Sequence, residues 1–183
     1  VGFITRIRGL DNLLYGISKY YSNNPQIGIE ANIIGIGDDL PYLQNMSKEL
    51  DSERYVFFHG WANHEKVRKM MEESDIGILP YKNCRHWNTT IPNKIFDYMA
   101  YGMPVLATPI KPIKKILQSE KCGLIFAENN SDSFVRTIRL LLNKEARKEL
   151  GLNGIKAIQE KYNWENDSKK ILENVNDVKN SSR

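Results

Sequence analysis

Short β-branched or apolar runs alternate with longer amphipathic stretches along most of the chain, and this alternation constrains the fold more than any other feature. The strand candidates are residues 1–5, 29–35, 55–59, 76–79, 105–108 and 123–126. Between them apolar residues recur at helical spacing: Leu10, Leu13, Leu14 and Ile17; Leu40, Leu43, Met46 and Leu50; Val67, Met70 and Met71; Phe134, Ile138 and Leu141. The strands are too uniformly apolar for a sheet with one wet face, so they predict a parallel sheet covered by helices on both sides. The expected class is α/β, a doubly wound Rossmann-like parallel sheet of about six strands. After residue 126 the strand pattern stops. Residues 131–142, 145–161 and 164–178 all read as helices, with Ser131 and Asp132 opening the first and Asn163 capping the last. One domain is expected over residues 1–162 and a helical C-terminal tail over 163–183, with the polar end at 179–183 frayed.

The chain has 183 residues, 41% of them hydrophobic and 26% charged, enough for a core and too apolar for wholesale disorder. Lys and Arg number 26 against 22 acidic residues, a net charge of +4. That excess is small and interleaved, which argues against a nucleic-acid surface but allows a local cationic pocket. No run approaches the roughly 18 apolar residues of a spanning helix. Two cysteines, Cys84 and Cys122, make no framework of bridges and favour a reducing cytoplasm. The opening Val1-Gly2-Phe3-Ile4-Thr5 has no initiator Met and no leader pattern. It reads as a strand entered midway, as in a piece of a longer polypeptide.

Ligands of open parallel sheets bind outside the carboxyl ends of the strands, which selects residues 5–9, 35–39, 59–63, 80–94 and 108–114 for chemistry. Gly35-Ile36-Gly37 is a glycine turn without the third glycine and immediate helix of a dinucleotide fingerprint. Arg6 and Arg8 bring two guanidinium groups to the first loop, suited either to phosphate or simply to solvent. The richest stretch is 88–104. Pro92 is expected in the first turn of a short helix that Gly102 ends, and the helix start, preceded by Thr89 and Thr90 and followed by Lys94, forms an anion site. Asp97 shares a face with Asn93, Lys94 and Tyr101, where it serves either as an acceptor for sugar hydroxyls or as a surface partner of Lys94. Gly60 and Trp61 end the third strand, with Trp61 placed to lie against a flat base or to pack as an ordinary aromatic. Cys84-Arg85-His86-Trp87 lacks a second ligand at metal spacing, and His59, His64 and His86 show no triad partners, so no metal is expected.

These segments together resemble the C-terminal, donor-binding domain of a retaining GT-B glycosyltransferase of the GT4 group. Arg8-Gly9-Leu10-Asp11 stands where that family has Lys-Gly-Leu-Asp, and Gly35-Ile36-Gly37 matches its Gly-x-Gly. Val56-Phe57-Phe58-His59-Gly60 matches Val-x-Phe-x-Gly, and Ser74-Asp75-Ile76-Gly77-Ile78-Leu79-Pro80 matches Ala-Asp-Val-x-Val-x-Pro. Asp97-Tyr98-Met99-Ala100-Tyr101-Gly102-Met103-Pro104-Val105 matches Glu-Ala-Met-Ala-x-Gly-x-Pro-Val, and Tyr162-Asn163-Trp164 is similar to the aromatic segment before the closing helix.

The resemblance implies transfer of a sugar from a nucleotide-diphosphate sugar to an acceptor hydroxyl with retention, in polysaccharide or glycolipid synthesis. It implies that Arg8, Thr89, Thr90 and Lys94 meet the diphosphate, Asp97 the ribose, and Gly60 and Trp61 the base, with Gly35 and Gly37 in the donor loop. No cofactor and no obligatory metal ion are implied. The acceptor-binding N-terminal lobe is a missing partner, and the full-length enzyme is expected in the cytoplasm, with peripheral association at the inner face of the membrane. Where the family carries two glutamates this chain has Thr89 and Asp97, and Phe3 stands where an arginine is common. A nucleotide-sugar epimerase and a non-catalytic nucleotide-sugar-binding module remain as alternative readings.

Overall fold

The computed structural model describes residues 1–23 and 25–181. After a 3-10 turn at Arg6–Arg8 come α1 (Leu10–Ser22), β1 (Ala31–Ile33), α2 (Leu40–Glu49), β2 (Val56–Phe58), α3 (His64–Glu72) and β3 (Gly77–Leu79). The chain continues through α4 (Arg85–Thr89), α5 (Lys94–Ala100), β4 (Val105–Ala107), α6 (Lys111–Glu120) and β5 (Gly123–Ile125). It closes with α7 (Ser131–Leu140), α8 (Lys144–Glu160) and α9 (Trp164–Ser181). All strand pairs are parallel: β1 with β2, and β4 between β3 and β5.

Pleating explains why both faces are covered. Val105 and Ala107 of β4 point into one core with Leu79, Ile95, Met99, Ile113 and Leu117, while Leu106 joins a second with Ile17, Ile33, Phe126 and Phe134. α5, α6 and α8 contribute to the first core, and α1, α2 and α7 to the second. A parallel sheet wound on both sides is the expected architecture. Five strands form rather than about six, because the stretch 1–4 lies along the end of β1 through bonds from the Gly2 and Ile4 N–H groups to the Ile34 and Ile36 carbonyls, each 2.8 Å, without a continuous ladder.

That close parallel run explains Gly35 and Gly37. A Cβ on Gly35 would lie 1.8 Å from the Gly2 carbonyl oxygen, and one on Gly37 would lie 2.1 Å from that of Ile4. The glycines admit the chain's own backbone. Beside this run lies a cavity of about 510 Å³ reaching from residues 27–34 to residues 74–81.

Helix limits shift from the sequence reading for local reasons. The first long helix after β5 is capped by Asn130, whose side chain accepts the Ser133 N–H at 2.8 Å, so Ser131 is already helical. Pro92 precedes rather than enters α5, since the chain turns at 92–93 and Asn93 is the cap. Asn163 does cap α9, accepting the Asn166 N–H at 2.9 Å. Helix α9 is continuous to Ser181, and the last two residues of the expected frayed end lie outside the described residues.

Past its end α8 is fastened to α6. Lys161 Nζ donates to both Glu120 carboxylate oxygens at 2.9 Å, and the Tyr162 hydroxyl donates to one of them at 3.2 Å. Burial pushes the Glu120 carboxyl up, but the hydrogen bonds from Lys161 and Ser119 outweigh it and hold it below the ordinary value. A depressed carboxylate pKa stabilises the fold above its unfolded value, and that contribution is lost as pH falls through the folded one. Glu120→Gln should therefore flatten the acid limb of a stability profile below pH 4.5, measured by urea titration across pH. Gly37→Ala should cost about 1–3 kcal/mol through overpacking, read as a lowered melting temperature.

Candidate functional site

The carboxyl ends of β1, β2 and β3 and the end of the 1–4 run meet at one edge. There the 3-10 turn at Arg6–Arg8 sends its two arginines different ways. Gly9, at φ 63°, makes the sharp entry to α1, and a Cβ there would lie 2.0 Å from the Pro80 carbonyl oxygen. The buried Asn12 side chain locks this junction, donating to the Pro80 carbonyl at 3.2 Å and accepting the Asn129 N–H at 2.8 Å. The Ile7 carbonyl takes the Trp87 Nε1–H at 2.8 Å and the Lys82 N–H at 3.0 Å. Residues 80–82, Trp87 and Asn129 are thus pinned to residues 7–12.

Arg6 is spoken for. Its backbone N–H donates to Asp39 Oδ2 at 2.8 Å, its Nε reaches Asp39 Oδ1 at 3.3 Å, and its guanidinium lies over the Tyr42 ring. Lys82 pairs with Asp11 at 2.6 Å. Arg8 differs, for among the described residues no carboxylate pairs with it. It donates from Nη1 to the Tyr81 hydroxyl at 3.2 Å, with its guanidinium 5.8 Å from the Tyr81 ring centroid and 5.9 Å from that of Trp87. Those two rings stack on each other at 4.3 Å. An aromatic bed steadies a cation without cancelling its charge.

Lys94 and Asp97 pair at 2.8 Å across one helical turn, each partly exposed. Such a pair is worth little and is easily opened by a ligand. Arg8, Lys94 and Asp97 each act on the Val1 amino group. Burial pushes it down to about 6, the Lys94 and Arg8 charges push the same way, and Asp97 opposes them. Burial also raises the Tyr98 hydroxyl, with Tyr81 and Asp97 adding and Arg8 opposing.

Of the other expected residues, the glycines are linked to Arg8 by backbone contacts. A Cβ on Gly2 would lie 3.0 Å from Arg8 Nη1, Gly2 abuts Gly35, and the Gly35 N–H donates to the Gly60 carbonyl at 2.8 Å. Backbone contacts therefore lead from Arg8 to Gly60 and on to Trp61, which is 73% exposed. Thr89 turns its hydroxyl back into α4, donating to the Arg85 and His86 carbonyls, while Thr90 is exposed at the helix end. At the start of α5 the Ile95 and Phe96 N–H groups are taken by the Pro92 and Asn93 carbonyls. Among the described residues no group of three or more His, Cys, Asp or Glu is placed to hold a metal ion.

Sequence reasoning missed Tyr81, Tyr98 and Asn12 as builders of the site. Trp87 drew notice only within the stretch 84–87, weighed and set aside as a metal site, and not as part of the bed under Arg8. Tyr81 carried a signal, directly after the Pro80 that ends a strand.

The model of the family described as glycosyl transferases group 1 matches residues 2–157. The chain belongs to that family. An uncharacterized glycosyltransferase of Methanocaldococcus jannaschii is 26% identical over 175 residues, 94% of this chain and 42% of its own length. The amylovoran biosynthesis glycosyltransferase AmsK of Erwinia amylovora is 25% identical over 118 residues, 64% of this chain and 29% of its own. The chain spans less than half the length of these relatives. TarM of S. aureus, solved with fondaparinux, alpha-GlcNAc-glycerol and UDP, shares the fold at a TM-score of 0.76 and 20% identity, over 94% of this chain and 34% of that one. No described helix is long and apolar enough to cross a membrane.

Trp87→Phe keeps a ring under Arg8 but removes the donor to Ile7. It should cost about 1 kcal/mol for the lost hydrogen bond, seen in chemical denaturation.

Proposed function

We propose that this domain holds the nucleotide-diphosphate sugar of a retaining glycosyltransferase that builds a polysaccharide or glycolipid. The observation that carries the reading is Arg8, a cation left without a carboxylate among the described residues, on an aromatic bed at the ligand edge. As the glycosyl bond breaks, negative charge gathers on the departing diphosphate, and fixed cations at that point lower the barrier. Arg8 supplies a planar fork of donors, and Lys94 adds a second charge once it leaves Asp97. Asp97 then accepts two ribose hydroxyls. Thr90, and Thr89 by rotation of its hydroxyl, flank the phosphates, and the backbone at Gly60 with the face of Trp61 meets the base. The ligand's own partners are these charges and donors, with no metal required.

Support for the nucleotide comes from TarM, whose structure contains UDP, and support for polysaccharide synthesis comes from the amylovoran relative. An acceptor-binding lobe on the N-terminal side completes the enzyme. Its place is the cytoplasm, at the inner face of the membrane, where a reducing medium suits the free thiols of Cys84 and Cys122.

A thermal-shift panel of UDP, GDP, ADP and their sugars tests the reading directly. One of them at a hundredfold its Kd should raise the melting temperature by roughly 5–10 °C, and no shift with any would overturn it. Arg8→Ala should weaken that ligand about 10- to 100-fold, the loss of a charge-assisted bond. Asp97→Ala should weaken the nucleotide while inorganic diphosphate binds as well or better, because Lys94 is freed of its partner, by calorimetry.

A further inference from the structure

Positive charge at the ligand edge does not stop at Arg8. Trp87, which lies under the Arg8 guanidinium, belongs to α4, and the His86 ring meets it edge-on at 4.5 Å. α4 in turn packs against α6. Asn88 fixes that contact, for its Oδ1 takes the Lys111 N–H at 3.0 Å and its Nδ2 donates to Asn83 Oδ1. The Asn83 N–H is held by the Glu128 carboxylate at 2.9 Å. Arg85 on α4 and Lys111, Lys114 and Lys115 on α6 are all exposed. None of them forms a salt bridge among the described residues. The three lysines stand at helical spacing on the outer face of α6, whose inner face buries Ile113, Ile116 and Leu117. Local stability does not ask for them. A helix dipole favours acids in the first turn and bases in the last, and α6 has neither, with its lysines early and Glu120 at its end.

We infer that α4 and the opening turns of α6 form a second anion subsite, which takes an acidic stretch of the acceptor glycan. The inference rests on the proposed donor reading, since the acceptor must reach the donor sugar. α4 follows β3 and α6 follows β4, so these cations stand outside the carboxyl ends of the strands, as Arg8 does. An acidic acceptor brought up to a diphosphate meets like-charge repulsion, and cations placed beside the diphosphate offset it. A membrane surface fits this face less well, because Ile113, Ile116 and Leu117 are committed to the core rather than free to enter an acyl layer.

The test titrates tetragalacturonate, which carries a carboxylate on every ring, into the isotopically labelled 183-residue chain at about 0.15 M salt. Amide resonances of residues 85–90 and 111–115 should move. Maltotetraose, neutral and equally long, should move none of them. Lys111→Glu combined with Lys114→Glu should weaken tetragalacturonate about tenfold or more, and leave nucleotide binding unchanged. Acids suit the start of a helix, so that variant should keep or raise the melting temperature, and its loss of binding is not a loss of fold. The same charge change on α8, Lys144→Glu with Lys148→Glu, should leave the affinity unchanged. Silent amides, an equal response to maltotetraose, or an equal loss in the α8 variant would overturn the inference. So would binding of phosphatidylglycerol vesicles through the same lysines with no response to tetragalacturonate. A chain that takes nucleotide but not tetragalacturonate sinks this inference alone, whereas one that takes tetragalacturonate but no nucleotide sinks the donor reading and the acceptor role with it.

Discussion

The backbone of residues 1–4 lies against Gly35 and Gly37 at a separation that no side chain at those two positions would permit, and the ligand edge is assembled on that contact. It fixes where the Thr5–Gly9 turn leaves the sheet, and hence where Arg8 stands relative to Tyr81 and Trp87. It also sets Gly2 between Arg8 and the Gly35–Gly60 hydrogen bond, so that a loop cation and the end of β2 share one rim. Moving this run outward by the width of a methyl group would detach the first loop from the rest of the edge.

Charge at that rim is selected rather than simply accumulated. The chain is only mildly basic, and several of its cations are spent locally: Arg6 on Asp39, Lys82 on Asp11, Lys161 on Glu120. Arg8 instead rests on π faces, and Lys94 holds Asp97 in a partly exposed pair. An aromatic bed costs a cation little of its field, and an exposed ion pair can be exchanged for a phosphate and a hydroxyl at small cost. The edge is therefore prepared for an anion without a large excess of positive charge.

Much of the fold was legible in the sequence because burial on both sides of a parallel sheet leaves a strong imprint: apolar strands, and helices striped at 3.6 residues. The order of elements, the two-faced cover and the Asn163 cap all follow from that imprint. Helix α4 did not, since five residues are too few to show a period and Trp87 is held by the distant Ile7 carbonyl. The limits of α5 and α7 shifted because Pro92 completes a turn ahead of its helix and Asn130 competes successfully with Ser131 for the cap. Motif order pointed to Arg8, Lys94 and Asp97. The Gly35 and Gly37 pair was legible as a place of close approach, but not as to what approaches.

By itself the sequence determined the class of fold, the family and the segments that reach the ligand edge, because periodicity and motif spacing are written locally along the chain. Only the tertiary structure decided which of two neighbouring arginines is left without a carboxylate among the described residues, and which aromatics lie beneath it. Those outcomes depend on contacts between residues tens of positions apart, from Arg6 to Asp39 and from Arg8 to Tyr81. Such contacts are set by how the layers pack, and local spacing carries no record of them.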